Sequence, residues 1–271
     1  MIVVPLPYGR LCNRLALAAS FIAFSEEFGT TFVHLAFADY CRFFEKTRFT
    51  PFLVFHPKCR TKKPRRGVSV LSIFKSHDAV NQCFMMDDPS TGFIRLATTK
   101  RVVFALGWLF RTDTLTQKHH AVIRQFFMPR RSHRMRAEKI LVNARQNVDH
   151  VVGIHMRQTD YKTFAQGKYF FSPETYRKIM GKIASRLPGK TAFLVCSDAP
   201  IPFDQFPGLL VIPGPGHPIE DNYALASCDY IAGPPSTFSH WASYFGKVPL
   251  YFIETENAEP ELDAFTIRFS V

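Results

Sequence analysis

The second half of this chain mostly alternates between short apolar runs and amphipathic ones, and that alternation restricts the fold more than any single residue does. From residue 149 the order reads strand "HVVGIH", helix "SPETYRKIMGKIASRL", strand "TAFLVC", strand "GLLVI", helix "IEDNYALASC", strand "DYIAG", helix "STFSHWASYFG" and strand "VPLYFIE". Strands that are apolar throughout are buried on both faces, which is the condition of a parallel sheet covered by helices. Such sheets bind their ligands beyond the C-terminal strand ends. Ser172, followed by Pro173 and Glu174, marks one helix start with an N-cap hydroxyl and a proline at the first helical position, while Gly181 inside that helix weakens it slightly.

The first half opens in the same way. "MIVVPL" reads as a strand, and "GRLCNRLALAASFIAFSEEFGT" is apolar at helical spacing and closes on Gly29. Strand, glycine turn and helix begin an α/β unit. "TFVHLAF" and "RVVFALGWLF" read as further strands, and "TLTQKHHAVIRQFF" and "SHRMRAEKILVNARQN" as helices. The segment 40–99, rich in Phe, Pro and basic residues, reads as irregular. At 271 residues the chain has room for two lobes, with a boundary expected at 148–150, where a charged helix gives way to an apolar strand. The cleft between two such lobes is the natural binding site.

A net charge of +12 favours anionic partners. The positive charge concentrates in "KCRTKKPRR" (58–66) and "RRSHRMRAEK" (130–139), which read as solvated faces or as a contact for an anionic membrane or glycan. No zinc-finger spacing, aromatic RNA-binding motif or basic zipper accompanies the charge, so nucleic acid is not expected as a partner. Cys12, Cys41, Cys59, Cys83, Cys196 and Cys228 form no C-x-x-C pair, and those in apolar segments such as "TAFLVC" read as reduced, buried thiols of a cytosolic protein. The opening segment lacks the pattern of a signal peptide, and no run of about 18 apolar residues predicts a membrane span.

Chemistry concentrates where strands end. "VVGIHMRQTDY" (151–161) finishes an apolar strand with His155, Arg157 and Asp160. "CSDAP" follows another strand, and "GPPSTFSHW" places Ser236 at a helix N-terminus, where unpaired N–H groups and the helix dipole attract an anion. An arginine, a hydroxyl-bearing helix start and the Gly9-Arg10 turn make a cradle for a diphosphate. The bland alternatives are an Arg157–Asp160 ion pair and a plain N-cap. Neither a G-x-x-x-x-G-K-S/T loop nor a G-x-G-x-x-G fingerprint occurs, which argues against an NTPase and a dinucleotide oxidoreductase. Asp-x-Asp is absent too, and Asp87-Asp88 reads as a turn, so a metal-held diphosphate lacks its usual ligands. "KHH" at 118–120 has no zinc spacing and reads as an exposed helix face.

Three of these segments, in this order, resemble motifs of the superfamily that contains the α-1,2-, α-1,6- and protein O-fucosyltransferases. "VGIHMRQTDY" resembles its H-x-R-R-x-D-Y motif, and "PYGRLCNRL" its amino-terminal G-R-L/F-G-N-Q segment. "EDNYALASCDYIAGPPSTFSHWASYFGKVPLYFI" is similar to its carboxyl-terminal block, and "GKYFFSPETY" is most like bacterial members of the α-1,2-fucosyltransferase-like group. The resemblance implies an α/β, GT-B-like fold of two Rossmann-type lobes with a cleft between them. Residues 1–148 would form the acceptor-side lobe and 149–271 the nucleotide-sugar lobe. It implies an inverting transfer of L-fucose from GDP-fucose to a glycan hydroxyl, without metal or other cofactor. Carried over by position, Arg157 would hold the diphosphate and Ser236, Thr237 and Phe238 would contact the phosphates. His155 and Asp221 would recognise guanine, Asp198 would lie near the nucleotide, and Gly9, Arg10 and Asn13 would reach the diphosphate and sugar from the first lobe. Arg157 and Asn13 would be the catalytic pair.

The departures from the family pattern are Gln158 for its second arginine, Cys12 for a glycine and Arg14 for a glutamine. Gln158 removes one cation beside the diphosphate, which Arg14 could replace. The alternatives are therefore another nucleotide-linked deoxysugar donor on the same scaffold, or a non-catalytic relative that binds a nucleotide or glycan. Asp160 and Asp39 are candidate general bases. The acceptor is expected to be a glycan, acidic or lipid-linked, met at the cytoplasmic side with peripheral membrane contact through the basic patches.

Overall fold

A computed structural model describes residues 1–57 and 89–268. The basic run 58–66, Asp87-Asp88, Cys59 and Cys83 lie outside the described residues. The chain divides into two compact units, Met1–Met128 and Pro129–Arg268.

In the first unit, strand β1 (Ile2–Val4) leads into helix α1 (Leu11–Phe28), and β2 (Phe32–His34) follows. A 3-10 turn (Leu35–Phe37), α2 (Ala38–Cys41), β3 (Leu53–Phe55), α3 (Thr91–Thr99), β4 (Val103–Phe104), α4 (Asp113–Lys118) and α5 (His120–Phe126) complete it. The sheet order is β3-β2-β1-β4. β2 and β4 run parallel to β1, while β3 is antiparallel to β2. α1 ends at Gly29 in the left-handed conformation, as the sequence predicts. Its phenylalanines anchor an aromatic cluster: Phe21 stacks on Phe110 at 4.3 Å and on Phe32 at 5.1 Å, and Phe24 meets Phe93 at 5.0 Å.

Several expectations need correction here. The runs "TFVHLAF" and "RVVFALGWLF" yield only the short strands β2 and β4. The helix over 114–127 is two helices broken at His119, whose φ of −99° and ψ of 18° leave the helical region. "KHH" is exposed only in part: Lys118 is exposed, His119 is half-buried and His120 buried, and Lys118 and His119 both hold Glu27, at 2.7 and 2.6 Å. Within 40–99, β3 and α3 are regular, the latter capped by Ser90.

The second unit begins with α6 (Arg131–Ala144) and continues through β5 (His150–Met156), α7 (Pro173–Arg186), β6 (Thr191–Ser197), β7 (Leu210–Pro213), α8 (Pro218–Leu225), β8 (Tyr230–Gly233), α9 (Thr237–Gly246) and β9 (Leu250–Phe252). Its five strands are all parallel, in the order β7-β6-β5-β8-β9. Ser172 caps α7 by accepting from the Thr175 N–H, with Pro173 at the first turn. The unit starts at Pro129 rather than at 148–150, because α6 is tied to it by charge. Arg145 forms a bidentate pair with Asp229, both bonds 2.9 Å, and His133 and Arg136 each meet Glu220 at 2.7 Å. Cys12, Cys41, Cys196 and Cys228 are buried free thiols.

Candidate functional site

In the second unit the chain leaves β5 in one direction to build β6 and β7 and in the other to build β8 and β9. The gap between β5 and β8 is therefore a topological switch point, where the connections on either side diverge and leave a crevice. His155 lies at the end of β5 and Arg157 just beyond it, and the β8–α9 turn carries Ser236.

His155 is 3% exposed, an unusual setting for an imidazole. Its Nδ1 hydrogen-bonds the Ser239 hydroxyl at 2.8 Å, and its ring packs on Phe238 at 4.8 Å. Burial first, and the Arg157 charge second, push its pKa down to about 3, so the ring is neutral at ordinary pH. Gly233 permits the close passage of β8, since a Cβ there would come within 2.8 Å of the His155 carbonyl oxygen.

Arg157 is held on three sides. Its guanidinium pairs with Asp160 and, at 3.2 Å, with Asp198, and it lies over the Tyr161 ring at 5.1 Å. Its buried Nε has no hydrogen-bond partner. The ion pair with Asp160 weighs against that carboxylate as a free general base. Asp198 also accepts from the Gln158 N–H at 2.6 Å and the Thr159 hydroxyl at 2.5 Å. Burial acts to raise the Asp198 pKa, but the Thr159 hydroxyl, the Gln158 N–H and Arg157 outweigh it and hold the carboxylate below its ordinary range.

Gln158 is a structural residue here: its amide donates to the Phe171 carbonyl at 2.9 Å and to the Arg157 carbonyl at 3.2 Å. Arg14 belongs to the first unit and is engaged there, by the carbonyls of Gly9 at 3.1 Å and Ala36 at 2.6 Å and by Asp39 at 3.2 Å. It shapes its own turn. Gly9 has φ of +62°, and a Cβ there would lie 2.1 Å from Asn13 Nδ2, so only glycine leaves Asn13 its place on α1. Arg10 is the N-terminal flank of that helix and gives no side-chain cap.

The α9 start is built as predicted. The Ser236 hydroxyl accepts from the Phe238 N–H at 3.2 Å, and Ser236, Thr237 and Phe238 are half-buried. Tyr161 donates to the Pro235 carbonyl at 2.5 Å, which joins the Arg157 segment to the α9 start. Beyond β7, Asp221 on α8 accepts from the Gly216 N–H at 2.8 Å, and Asn222 donates to the Phe238 carbonyl at 2.8 Å. Asp221 is 6% exposed; burial is the main cause that pushes its pKa up to about 6.

The second unit thus brings His155, Arg157, Asp198, Asp221 and Ser236–Phe238 to the strand-end side of one sheet, while Gly9, Arg10 and Asn13 form the β1–α1 turn of the first. No family model and no curated protein matches the chain. Solved structures do. POFUT1 in complex with GDP-fucose aligns over 94% of this chain and 97% of its own, with a TM-score of 0.61 and 11% identity. The fucosyltransferase NodZ from Bradyrhizobium aligns over 93% and 94%, at 0.57 and 16%. A mutant of FUT1 from Arabidopsis thaliana in complex with GDP aligns over 94% and 71%, at 0.58 and 12%. The chain has the GT-B fold of the fucosyltransferases. At such identities the likeness is one of fold.

Within this fucosyltransferase fold, three contributors escaped the sequence reading. Tyr161, Ser239 and Thr159 lie within the strand-end motifs, but nothing in the sequence marks their bonds to Pro235, His155 and Asp198. His133 and His217, whose rings stack at 5.0 Å, are 84 residues apart, so no local spacing could reveal them.

Proposed function

We propose that the protein is a glycosyltransferase that moves L-fucose from GDP-fucose to a glycan hydroxyl with inversion and without metal. The observation that carries this reading is the pairing of Arg157 and the Ser236-capped α9 start across the switch point, in the fold that NodZ and POFUT1 share. A departing diphosphate gains negative charge as the sugar becomes cation-like, and fixed cations and N–H groups aimed at it lower the barrier. Arg157 supplies the cation and α9 the oriented donors, with Ser236, Thr237 and Phe238 beside the phosphates. Asp221, when ionised, and the neutral His155 suit the donors and acceptors of a guanine edge. Asp198 acts by holding Arg157. The first unit, with Gly9, Arg10 and Asn13 where its first helix begins, binds the acceptor.

Gln158 favours a second reading. With its side chain committed to Phe171 and the second cation missing, the site suits another nucleotide-linked deoxysugar or binding without turnover. No helix among the described residues is long and apolar enough to cross a membrane. Peripheral contact with an anionic membrane through basic residues such as Arg130, Arg131 and Lys139 agrees with the charge distribution, and the motif resemblance to the bacterial α-1,2-like group suggests a cytoplasmic enzyme.

The test is thermal stabilisation by GDP, UDP, dTDP and CMP with no metal added, followed by GDP-fucose hydrolysis. GDP-selective stabilisation that Arg157→Ala abolishes, with hydrolysis reduced about 10²–10³-fold, is the expected result. No stabilisation by any nucleotide overturns the nucleotide site. GDP binding without turnover leaves the non-catalytic reading.

A further inference from the structure

Away from the Arg157 site, α6 and the N-terminus of α8 bring together three groups that the proposed transfer does not use. One donor atom each from His133, His217 and Glu220 lies within 4.8 Å of the others. His133 Nδ1 is 2.7 Å from Glu220 Oε1, and the two imidazole rings stack at 5.0 Å with an angle of 19° between planes. Glu220 is 3% exposed, and His133 and Arg136 both meet its carboxylate at 2.7 Å. His217 is fixed as the N-terminal flank of α8 by the Ile219 N–H and by Pro218 after it.

We infer that His133, His217 and Glu220 form a zinc site that pins α6 to the start of α8. Two imidazoles and one carboxylate are a common zinc donor set, and a tetrahedral ion would complete its shell with water. The three donor atoms already lie close together, one from each side chain, so only small side-chain turns bring them onto a common ion. Arg136 is the competitor: it meets Glu220 Oε1 at 2.7 Å, and its side chain is 64% exposed. Its exposure lets it swing into solvent when the ion enters. The site is separate from any counter-ion of a diphosphate, and it stands whether or not the proposed activity does.

The experiment is titration of the chelator-treated full chain with Zn²⁺ by calorimetry, together with the visible spectrum of the Co²⁺ form. One ion per chain is expected, with a raised melting temperature and weak cobalt bands free of thiolate charge transfer. His217→Gln and His133→Gln should weaken binding beyond the ~10–100-fold that loss of an outer-shell partner costs. Arg136→Gln should tighten it. No zinc uptake, thiolate charge transfer in the wild-type cobalt spectrum, or affinity unchanged in both histidine variants overturns the site. The cobalt spectrum decides even if a variant fails to fold.

Discussion

Arg157 and Asp198 are ion-paired at 3.2 Å across the ends of the neighbouring strands β5 and β6. Asp198 also receives the Gln158 N–H and the Thr159 hydroxyl, so one carboxylate organises the whole segment that follows β5. If Asp198 works through Arg157, the two residues are energetically coupled. Arg157→Ala, Asp198→Ala and the double variant should show a coupling energy of about 1–3 kcal/mol in GDP affinity. Additivity within about 0.5 kcal/mol means that Asp198 contributes independently.

Tyr161 offers a finer probe. Tyr161→Phe keeps the ring beneath Arg157 and removes only the hydroxyl that donates to Pro235. The expected stability loss is about 1 kcal/mol, the net worth of one hydrogen bond. Turnover should fall while the affinity for GDP stays near wild type, because the guanidinium keeps its seat and loses only its registry with α9. Urea melts and a kcat measurement separate the two effects.

Asp221 places a desolvated carboxylate where a ligand is absent, and the free protein bears the cost. Its folded pKa of about 6 lies above its ordinary 3.8, so the folded state binds more protons between those values and stability falls as pH rises through them. Asp221→Asn should therefore be more stable than wild type by roughly 3 kcal/mol at pH 7, with the difference shrinking below about 1 kcal/mol at pH 4. The same variant should lose selectivity for GDP. Denaturant melts at both pH values check the first claim and nucleotide-dependent thermal shifts the second.

His155 acts with the opposite sign. Its folded pKa of about 3 lies below its ordinary 6.5, so the unfolded chain binds the extra proton and stability falls as pH drops through 6.5. Between pH 7 and pH 5 this residue should cost about 2 kcal/mol. His34, buried in the first unit and pushed down to about 4 chiefly by burial, adds to the same trend. The comparison is wild type against His155→Gln, whose stability should depend less steeply on pH in that interval.

The second sheet was legible because its strands are mostly apolar and two of its helices have a chemical start, at Ser172-Pro173 and at Ser236. Periodicity could not set the first unit's element lengths: "TFVHLAF" is apolar enough for a strand, yet its last three residues turn as a 3-10 helix. Nor could it place α6. A basic helix ahead of an apolar strand looks like a linker until Glu220 and Asp229, more than 80 residues later, are seen as its partners. The site residues were readable as strand-end and helix-start positions. What Gln158 and Arg14 do was not, since each depends on a carbonyl supplied by a distant loop.

The attachment of α6 bears on how the second half of the chain can be excised. A fragment cut at residue 149 would keep the complete parallel sheet but would strip Glu220 of His133 and Arg136, and Asp229 of Arg145. Leaving a buried carboxylate without its cations costs about 3–5 kcal/mol, a large share of what a domain of this size has to lose. A cut at Pro129 retains both sets of partners, so the choice of twenty residues separates a fragment with paired charges from one that carries its own lesion.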